Sequence, residues 1–539
     1  MKLGLVLNKE IHLLTESELK LITCLADRAN QVTLIIIISK DKQTGFYSLA
    51  SRILLKQFLL EKKRFDKSNT IINKNELFDH FKNSVIEVHP FLKNDCYIFD
   101  KKDISKIRNT KLDLIIKLGG KRLNGEVIKA TKYGVWFIDN LNKFSNSSLP
   151  IGFWEIVKNK SNVKISLIKL SENDNQEEVI DQSYFNYHKW SAILTNNMVI
   201  ESSTSLILKN LNNLEQNKNN LLAASDKNDL NLIKEYLSFK DSFKYISKFY
   251  KFYFKGYLKK IRNKTHNNPK LWTLFIGAGN FLDQDLSKLY PVIVPNGEFW
   301  ADPFLIKRDE EYYAFFENYS FNDKKGKISC GRVKGNRLVD VIDVLNLDYH
   351  LSYPFIFKEK EEVFMMPETG SNKRLEIYRC INFPDKWELF STAFEGENIA
   401  DAFFYDDANN QKWLFLNKST LQNSSKTSNL FIYKVDSLEL NEIIPHKQNP
   451  VIIDSRKARN GGSIFSSNNT LFRPSQRNTH GTYGNNLNIN KIEKLTINEY
   501  VEKTVKIVKP DFYKGLKAIH HLHQVEGLFI FDASFTNIY

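Results

Sequence analysis

Three acidic residues, Asp302, Glu368 and Asp401, stand at the ends of short strand-like runs in the second half of a 539-residue chain. Making or breaking a glycosidic bond takes one carboxyl group to protonate the leaving oxygen and another to activate water or steady an oxocarbenium-like centre. The three acids are candidates for those roles. Glu368, between Pro367 and Thr369 at a strand end, is the best placed to be a raised-pKa proton donor. His350, Tyr353, Arg459, Arg473 and His520 are candidates to hold substrate hydroxyl or phosphate groups, and arginine and histidine suit an anionic leaving group if the reaction is a transfer. The plainer alternative for Asp302 and Asp401 is that an Asp before Pro or Ala opens a strand by bonding local backbone.

The elements that carry these residues repeat. ADPFLIKRDEEYYAFFE (Ala301 to Glu317), SYPFIFKEKEEVFMMPE (Ser352 to Glu368) and ADAFFYDDANNQKWLFLN (Ala400 to Asn417) each read as a strand, a charged turn and a second strand. Weaker copies lie at Gly461 to Gln476 and His521 to Ala533. A period of about fifty residues with several short strands per unit is the mark of propeller blades, and five copies predict a five-bladed all-β propeller over 271–539. Innermost strands of such blades face one channel. Polar residues opening them (Asp302, His350 with Tyr353, Asp401, Arg459, His520) should therefore converge, together with a second set at strand ends: Glu317, Glu368, Asn417, Gln476 and Asp532.

Residues 1–209 alternate apolar strand-like runs (Leu3 to Leu7, Val32 to Ser39, Leu112 to Leu118, Val135 to Ile138) with helical patterns, which predicts an α/β domain with a parallel sheet. Gly119 and Gly120 form no dinucleotide fingerprint, so no cofactor is implied. Residues 210–270 are Asn- and Lys-rich and then aromatic and basic (SFKYISKFYKFYFKGYLKKIRNK, Ser242 to Lys264), and read as a helical linker. Its aromatic stripe either packs on a domain or makes a peripheral contact with a membrane.

A balance of 77 Lys plus Arg against 62 Asp plus Glu gives a charge of +15, but the lysines are scattered and no arginine-rich stripe marks a nucleic-acid partner. Cys24, Cys96, Cys330 and Cys380 form no CxxC pair, so neither a metal site nor a disulfide framework is expected. The start, MKLGLVLNKE, reads as a first strand and not as a signal peptide, and no apolar run is long enough to span a bilayer. These features predict a cytoplasmic protein, peripheral to the inner face of a membrane if its positive charge docks there.

WADPFLI with EYYAFFE resembles the first blade of glycoside hydrolase family 43, which implies that Asp302 is the base, and DAFFYDDANNQKWLF is similar to the blade holding that family's pKa-modulating Asp, here Asp401. The family's general acid, a Glu before Gly-Pro, has no counterpart: Arg459-Asn460-Gly461-Gly462 occupies the nearest place. A closer resemblance, carried by KGKISCGRV, HLSYPFIF, MMPET, IYRCINFPDKWEL, HKQNPV, ARNGGSIF, RPSQ and IHHLH, is to the N-terminal region of the plant glucosamine inositolphosphorylceramide transferase family and its bacterial relatives. It implies a glycan, sugar-nucleotide or lipid-linked sugar substrate, without separating hydrolysis from transfer. LDLIIKLGGKRLNGEVIKATKYGVWFIDN resembles the formyltransferase N-terminal domain, but Phe137, Asp139 and Asn175 stand where that family's catalytic Asn, His and Asp would be. The resemblance therefore implies a fold without formyl transfer. Three readings follow: a carbohydrate-active enzyme of cell-surface glycan biosynthesis or modification, a non-catalytic glycan-binding or scaffold protein, and, least favoured because its catalytic groups are replaced, formyl transfer to an amino sugar by the first domain.

Overall fold

The computed structural model describes residues 1–7, 15–29, 31–38, 49–65, 81, 84–94, 96–118, 121–139, 149–171, 177–216, 237–262, 272–419 and 426–535. The chain divides into two units, Met1–Lys255 and Gly256–Tyr539. Gly119, Gly120, Asn175 and the Asn-rich part of the expected linker at 217–236 lie outside the described residues.

The first unit is built on a seven-stranded sheet. Its order is Glu178–Phe185, Val163–Lys169, Val135–Asp139, Leu114–Leu118, Lys2–Leu7, Gln31–Ile37 and Val85–Val88. The last five strands are mutually parallel, and Val163–Lys169 runs antiparallel to both of its neighbours. Lys2–Leu7 and Gln31–Ile37 are buried along nearly their whole length because helices cover both faces of a parallel sheet, which is why they read as unbroken apolar runs. The first crossover helix, Glu16–Arg28, begins at a capping box in which Thr15 and Glu18 satisfy each other's backbone N–H.

The helix Phe239–Arg262, expected in a linker, is anchored in this unit. The buried Tyr245 hydroxyl donates to Glu61 at 2.9 Å and accepts the Ala192 N–H at 2.8 Å, while its ring packs on Phe58 and Phe153. Trp190 stacks on Phe252 at 4.2 Å.

From Trp272 on, the described residues of the second unit form five antiparallel sheets, beginning with the strands Glu298–Arg308, Ser352–Glu359, Ile399–Asp406, Phe465–Ser467 and Ala518–Val525. The last sheet is completed by the unit's first strand, as Trp272–Ala278 pairs antiparallel with Leu528–Ser534 from the chain's far end. The start and end of the unit thus share one sheet, whose core of Phe275, Phe281, Phe529 and Phe531 is fully buried.

One detail repeats. The pairing of first and second strands skips between Ala301 and Phe304, between Ser352 and Phe355, between Ala400 and Phe403, and between Ile519 and Leu522. A β-bulge inserts an extra residue, bends the strand and re-aims a side chain. The residues in these bulges include Asp302, Tyr353, Asp401 and His520.

Candidate functional site

Asp302, Tyr353 and Asp401 occupy the same place in three bulges and share a left-handed backbone, with φ of 49°, 45° and 48°. A non-glycine residue pays on the order of 1 kcal/mol for that conformation. Three such residues at equivalent positions show that the bulge is part of the repeat. It turns each side chain away from its own sheet: Asp302 reaches His520 of the last sheet, Tyr353 packs on His521, and Asp401 reaches Arg459.

Glu317 and Glu368 also hold equivalent places, opposite Ala301 and Ser352 just before each bulge. Asp532 lies one position away from that set, opposite the His520–His521 bulge, where the other sheets carry Phe316, Pro367 and Leu416. There it ties the bulges together. Its Oδ2 accepts the Asp302 N–H at 2.9 Å, and its Oδ1 accepts the His521 N–H at 3.1 Å and meets His520 Nδ1 at 2.7 Å. The other ring nitrogen of His520 lies 3.5 Å from Asp302 Oδ1. Asp302, His520 and Asp532 each bring one ligand atom within 4.8 Å of the others, close enough to share a cation. Asp532 already spends its oxygens on protein donors, holding His520 by a hydrogen bond with its other ring nitrogen at ion-pair distance from Asp302.

Arg459 is the hub of the other side. Its guanidinium grips both oxygens of Asp401, through Nε to Oδ2 and through Nη2 to Oδ1 at 2.9 Å, and Nη2 meets Glu368 Oε2 at 3.2 Å. The sequence around it serves this placement. Asn460 donates its side-chain amide to the Asp401 carbonyl at 2.8 Å and its backbone N–H to Asn417 Oδ1 at 2.8 Å. The two glycines that follow slide against the strand Ala518–Val525: a Cβ on Gly461 would lie 2.5 Å from the His520 carbonyl oxygen, and one on Gly462 1.8 Å from that of Leu522. No side chain fits there. Lys426, which carries no repeat signal in the sequence, donates to Glu368 Oε1 at 2.7 Å.

Electrostatics separate the carboxyl groups. Burial tends to raise Glu368, but Lys426 and Arg459 outweigh it and hold it down to about 2. The expectation that Glu368 is the raised-pKa acid is thereby corrected: two cations keep it ionised. Burial pushes Asp302 up to about 6, with His520 pulling down and Asp532 and Glu368 pushing up. Glu317 goes well above the ordinary range, because it is buried and the nearby carboxylates of Asp302, Glu368, Asp532 and Asp401 repel its negative form. Asp401 is pushed up by burial against the pull of Arg459. His520 resists charge through burial, yet Asp532 and Asp302 on either side raise its pKa. Glu317 was visible in the sequence as the counterpart of Glu368 but not as the member whose pKa is pushed up.

The remaining candidates fall in different places. His350 sits at the rim, accepting the Gly326 N–H at 2.9 Å on Nδ1 and placing Nε2 3.5 Å from Glu317 Oε1. Tyr353 is wholly buried against Phe304 and His521, and forms a wall of the cluster. Arg473 is not a substrate ligand. It is fully buried and spends its donors on Glu502 at 2.7 and 2.8 Å, on Asn460 Oδ1 at 2.8 Å and on the Lys457 carbonyl at 2.8 Å. Its part is to brace Asn460 behind Arg459. Phe299 and Tyr319, stacked at 4.8 Å, add a partly exposed aromatic face two residues along the strand from Glu317.

Residues 292–526 match the family described as glucosamine inositolphosphorylceramide transferase 1, N-terminal. The chain is similar to the glucosamine inositolphosphorylceramide transferase 1 of Oryza sativa subsp. japonica, with 34% identity over 233 residues, 42% of this chain and 31% of the relative. It is similar to that of Arabidopsis thaliana at 32% over 230 residues, 42% and 30% respectively. The chain thus spans about a third of the length of these curated relatives. Among solved structures, a thermostable family-43 glycoside hydrolase shares 14% identity with a TM-score of 0.32, covering 44% of this chain and 87% of its own. A β-xylosidase, RS223, shares 9% with a TM-score of 0.33, covering 44% and 92%.

The cytoplasmic placement expected from the sequence is corrected by the plant relatives. They are transferases named for inositolphosphorylceramide, and a ceramide lipid is a membrane component. Among the described residues no helix is long and apolar enough to cross a membrane.

Proposed function

We propose that the second unit is a five-bladed β-propeller whose central acid cluster acts on a glycosidic bond in a glycan or glycolipid. The observation that carries this reading is the division of labour among four buried carboxyl groups: Glu317 pushed well up, Asp302 poised near 6, and Asp401 and Glu368 tied to one guanidinium. In this scheme Glu317 gives its proton to the leaving oxygen. Asp302, ionised above about pH 6, activates water or a sugar hydroxyl, and His520 with Asp532 fixes its orientation. Phe299 and Tyr319 offer the apolar face of a sugar ring a surface to lie on.

The site favours an uncharged sugar over a diphosphate. Arg459 is neutralised by Asp401 and Glu368, and Arg473 by Glu502, so neither arginine is left to attract an anionic leaving group. The cluster therefore suits the sugar portion of a glycan or glycolipid better than the diphosphate of a nucleotide-sugar donor. The test is to incubate the full chain with aryl glycosides, neutral oligosaccharides and glycosylated inositolphosphorylceramide, and to measure released or transferred sugar. Asp302→Asn and Glu317→Gln should each lower the rate on the order of 100-fold to 10,000-fold.

A second reading, glycan binding without turnover, is favoured by the completeness of the Arg459 ion pairs, which leaves the cluster satisfied without a substrate. Sugar binding with no turnover in the parent protein would select it. Formyl transfer by the first unit is not part of either reading: Phe137 is buried beneath the Arg122 guanidinium at 5.5 Å, and Asp139 is paired with Arg122 at 3.1 Å.

A further inference from the structure

The helix Phe239–Arg262 has two aromatic faces, and only one of them is used by the fold. At 100° per residue, Tyr245, Phe249, Phe252 and Tyr253 lie on one side and pack into the first unit. Phe239, Phe243, Tyr250 and Phe254 form a second stripe, each between 53% and 67% exposed. Lys240, Lys244 and Lys251 run alongside that stripe and are exposed as well. Placing four aromatic side chains in water costs burial that a packed helix would recover, so a stripe of this kind marks a contact surface.

The neighbouring helix Leu49–Phe65 has the same character. It lies beside the first through Phe58 and Glu61 on Tyr245, and through Arg64 over the Tyr253 ring at 4.2 Å. Leu49, Ile53 and Leu60 are exposed along the flank that includes Arg64, among Lys56, Lys63 and Arg64. Across the described parts of both helices there are two acids: Glu61 is buried under Tyr245, and Asp241 is occupied in the Ser238 cap. Apart from Asp241, the exposed charge is positive, interleaved with Leu, Ile, Phe and Tyr.

We propose that these two helices form a docking surface for an anionic lipid bilayer, lying in the interface plane with the aromatic and aliphatic side chains among the headgroups. The charge pattern selects this occupant. A second copy of the surface would bring like charges together, and an apolar protein partner would leave the lysines without counter-charge, whereas anionic headgroups satisfy both features at once. Neither helix is apolar enough to cross, so the surface lies on the membrane and does not span it. The proposal is independent of the glycosidic reading, since it involves only the first unit.

The test is sedimentation of the full chain with vesicles of phosphatidylcholine containing 30 mol% phosphatidylserine, a probe composition that supplies the anionic headgroups. The chain should pellet with these and not with pure phosphatidylcholine, and binding should weaken as salt is raised. Phe243→Ser with Phe254→Ser, and separately Lys244→Gln with Lys251→Gln, should each reduce partitioning on the order of 10-fold with unchanged circular dichroism, because all four side chains are exposed. Absence of vesicle binding by the parent chain, or equal binding by parent and both variants, overturns the proposal. So does a concentration-dependent dimer that the same substitutions abolish, if vesicles bind neither form. Enzymatic activity is not read at any step, so this outcome is separate from that of the glycosidic assay.

Discussion

Glu317 and Glu368 hold the same place in neighbouring sheets and end in opposite states, and the difference lies in what each faces. Glu368 meets Lys426 and Arg459; Glu317 meets His350 at 3.5 Å and a set of carboxylates. This has a consequence for stability with a definite sign. Glu368 titrates near 2 when folded and in the ordinary carboxylate range when unfolded, so its contribution is fully present above about pH 4.5 and is lost as pH falls toward 2. Glu368→Gln should therefore cost on the order of 3 kcal/mol at pH 7, and the gap between variant and parent should close over that window in urea titrations at stepped pH. A gap independent of pH would contradict the assignment. Asp302 has the reverse sign: its folded pKa is raised to about 6, so its contribution is present below about pH 4 and lost as pH rises through 6.

At the scale of elements, the bulges and the Arg459 segment make the site. Gly462 has φ of 123° and no room for a Cβ beside the Leu522 carbonyl, so Gly462→Ala must displace either the segment or the strand. A loss of about 3 kcal/mol or more in chemical denaturation is expected, with reduced activity in whatever fraction folds. A variant as stable as the parent would show that the segment does not pass where it is described. The strand pairs were legible in the sequence because apolar runs around charged turns recur with their polar ends in step, which is how Asp302 and Asp401 could be named; Arg459, expected to open a strand, stands instead in the segment before the strand Phe465–Ser467. The bulges were not, since an extra residue in a strand is defined only against its partner's register. Arg473 was misread because its partner Glu502 arrives on a different strand of the same sheet, and Lys426 was missed because it sits in a connection outside the repeat. The Tyr and Phe stripe of the helix Phe239–Arg262 left packing and exposure as alternatives, and the helix has one aromatic face for each.

At the scale of the molecule, the two units carry different chemistry: basic and aromatic helices in the first, a buried acid cluster in the second. The second unit depends on closure, because its first strand completes the sheet made by its last two. Ending the chain after Val525 removes the strand Leu528–Ser534, which pairs with both Trp272–Ala278 and Ala518–Val525, and also removes Asp532. The second unit should then become protease-sensitive throughout, and protection of its core amides in hydrogen exchange should collapse; retention of native protection would show that closure is dispensable. The central claim is that the sheets converge to make one acid cluster that works on a glycosidic bond. It is tested most directly by the rate of sugar release or transfer from a turned-over glycan as a function of pH, in the parent, in Asp302→Asn and in Glu317→Gln. The parent rate should rise through about pH 6 as Asp302 ionises and fall at higher pH as Glu317 loses its proton. Asp302→Asn should lose the acidic limb and Glu317→Gln the basic limb, each with a loss on the order of 100-fold or more. Parent-like rates and an unchanged profile in both folded variants would contradict it.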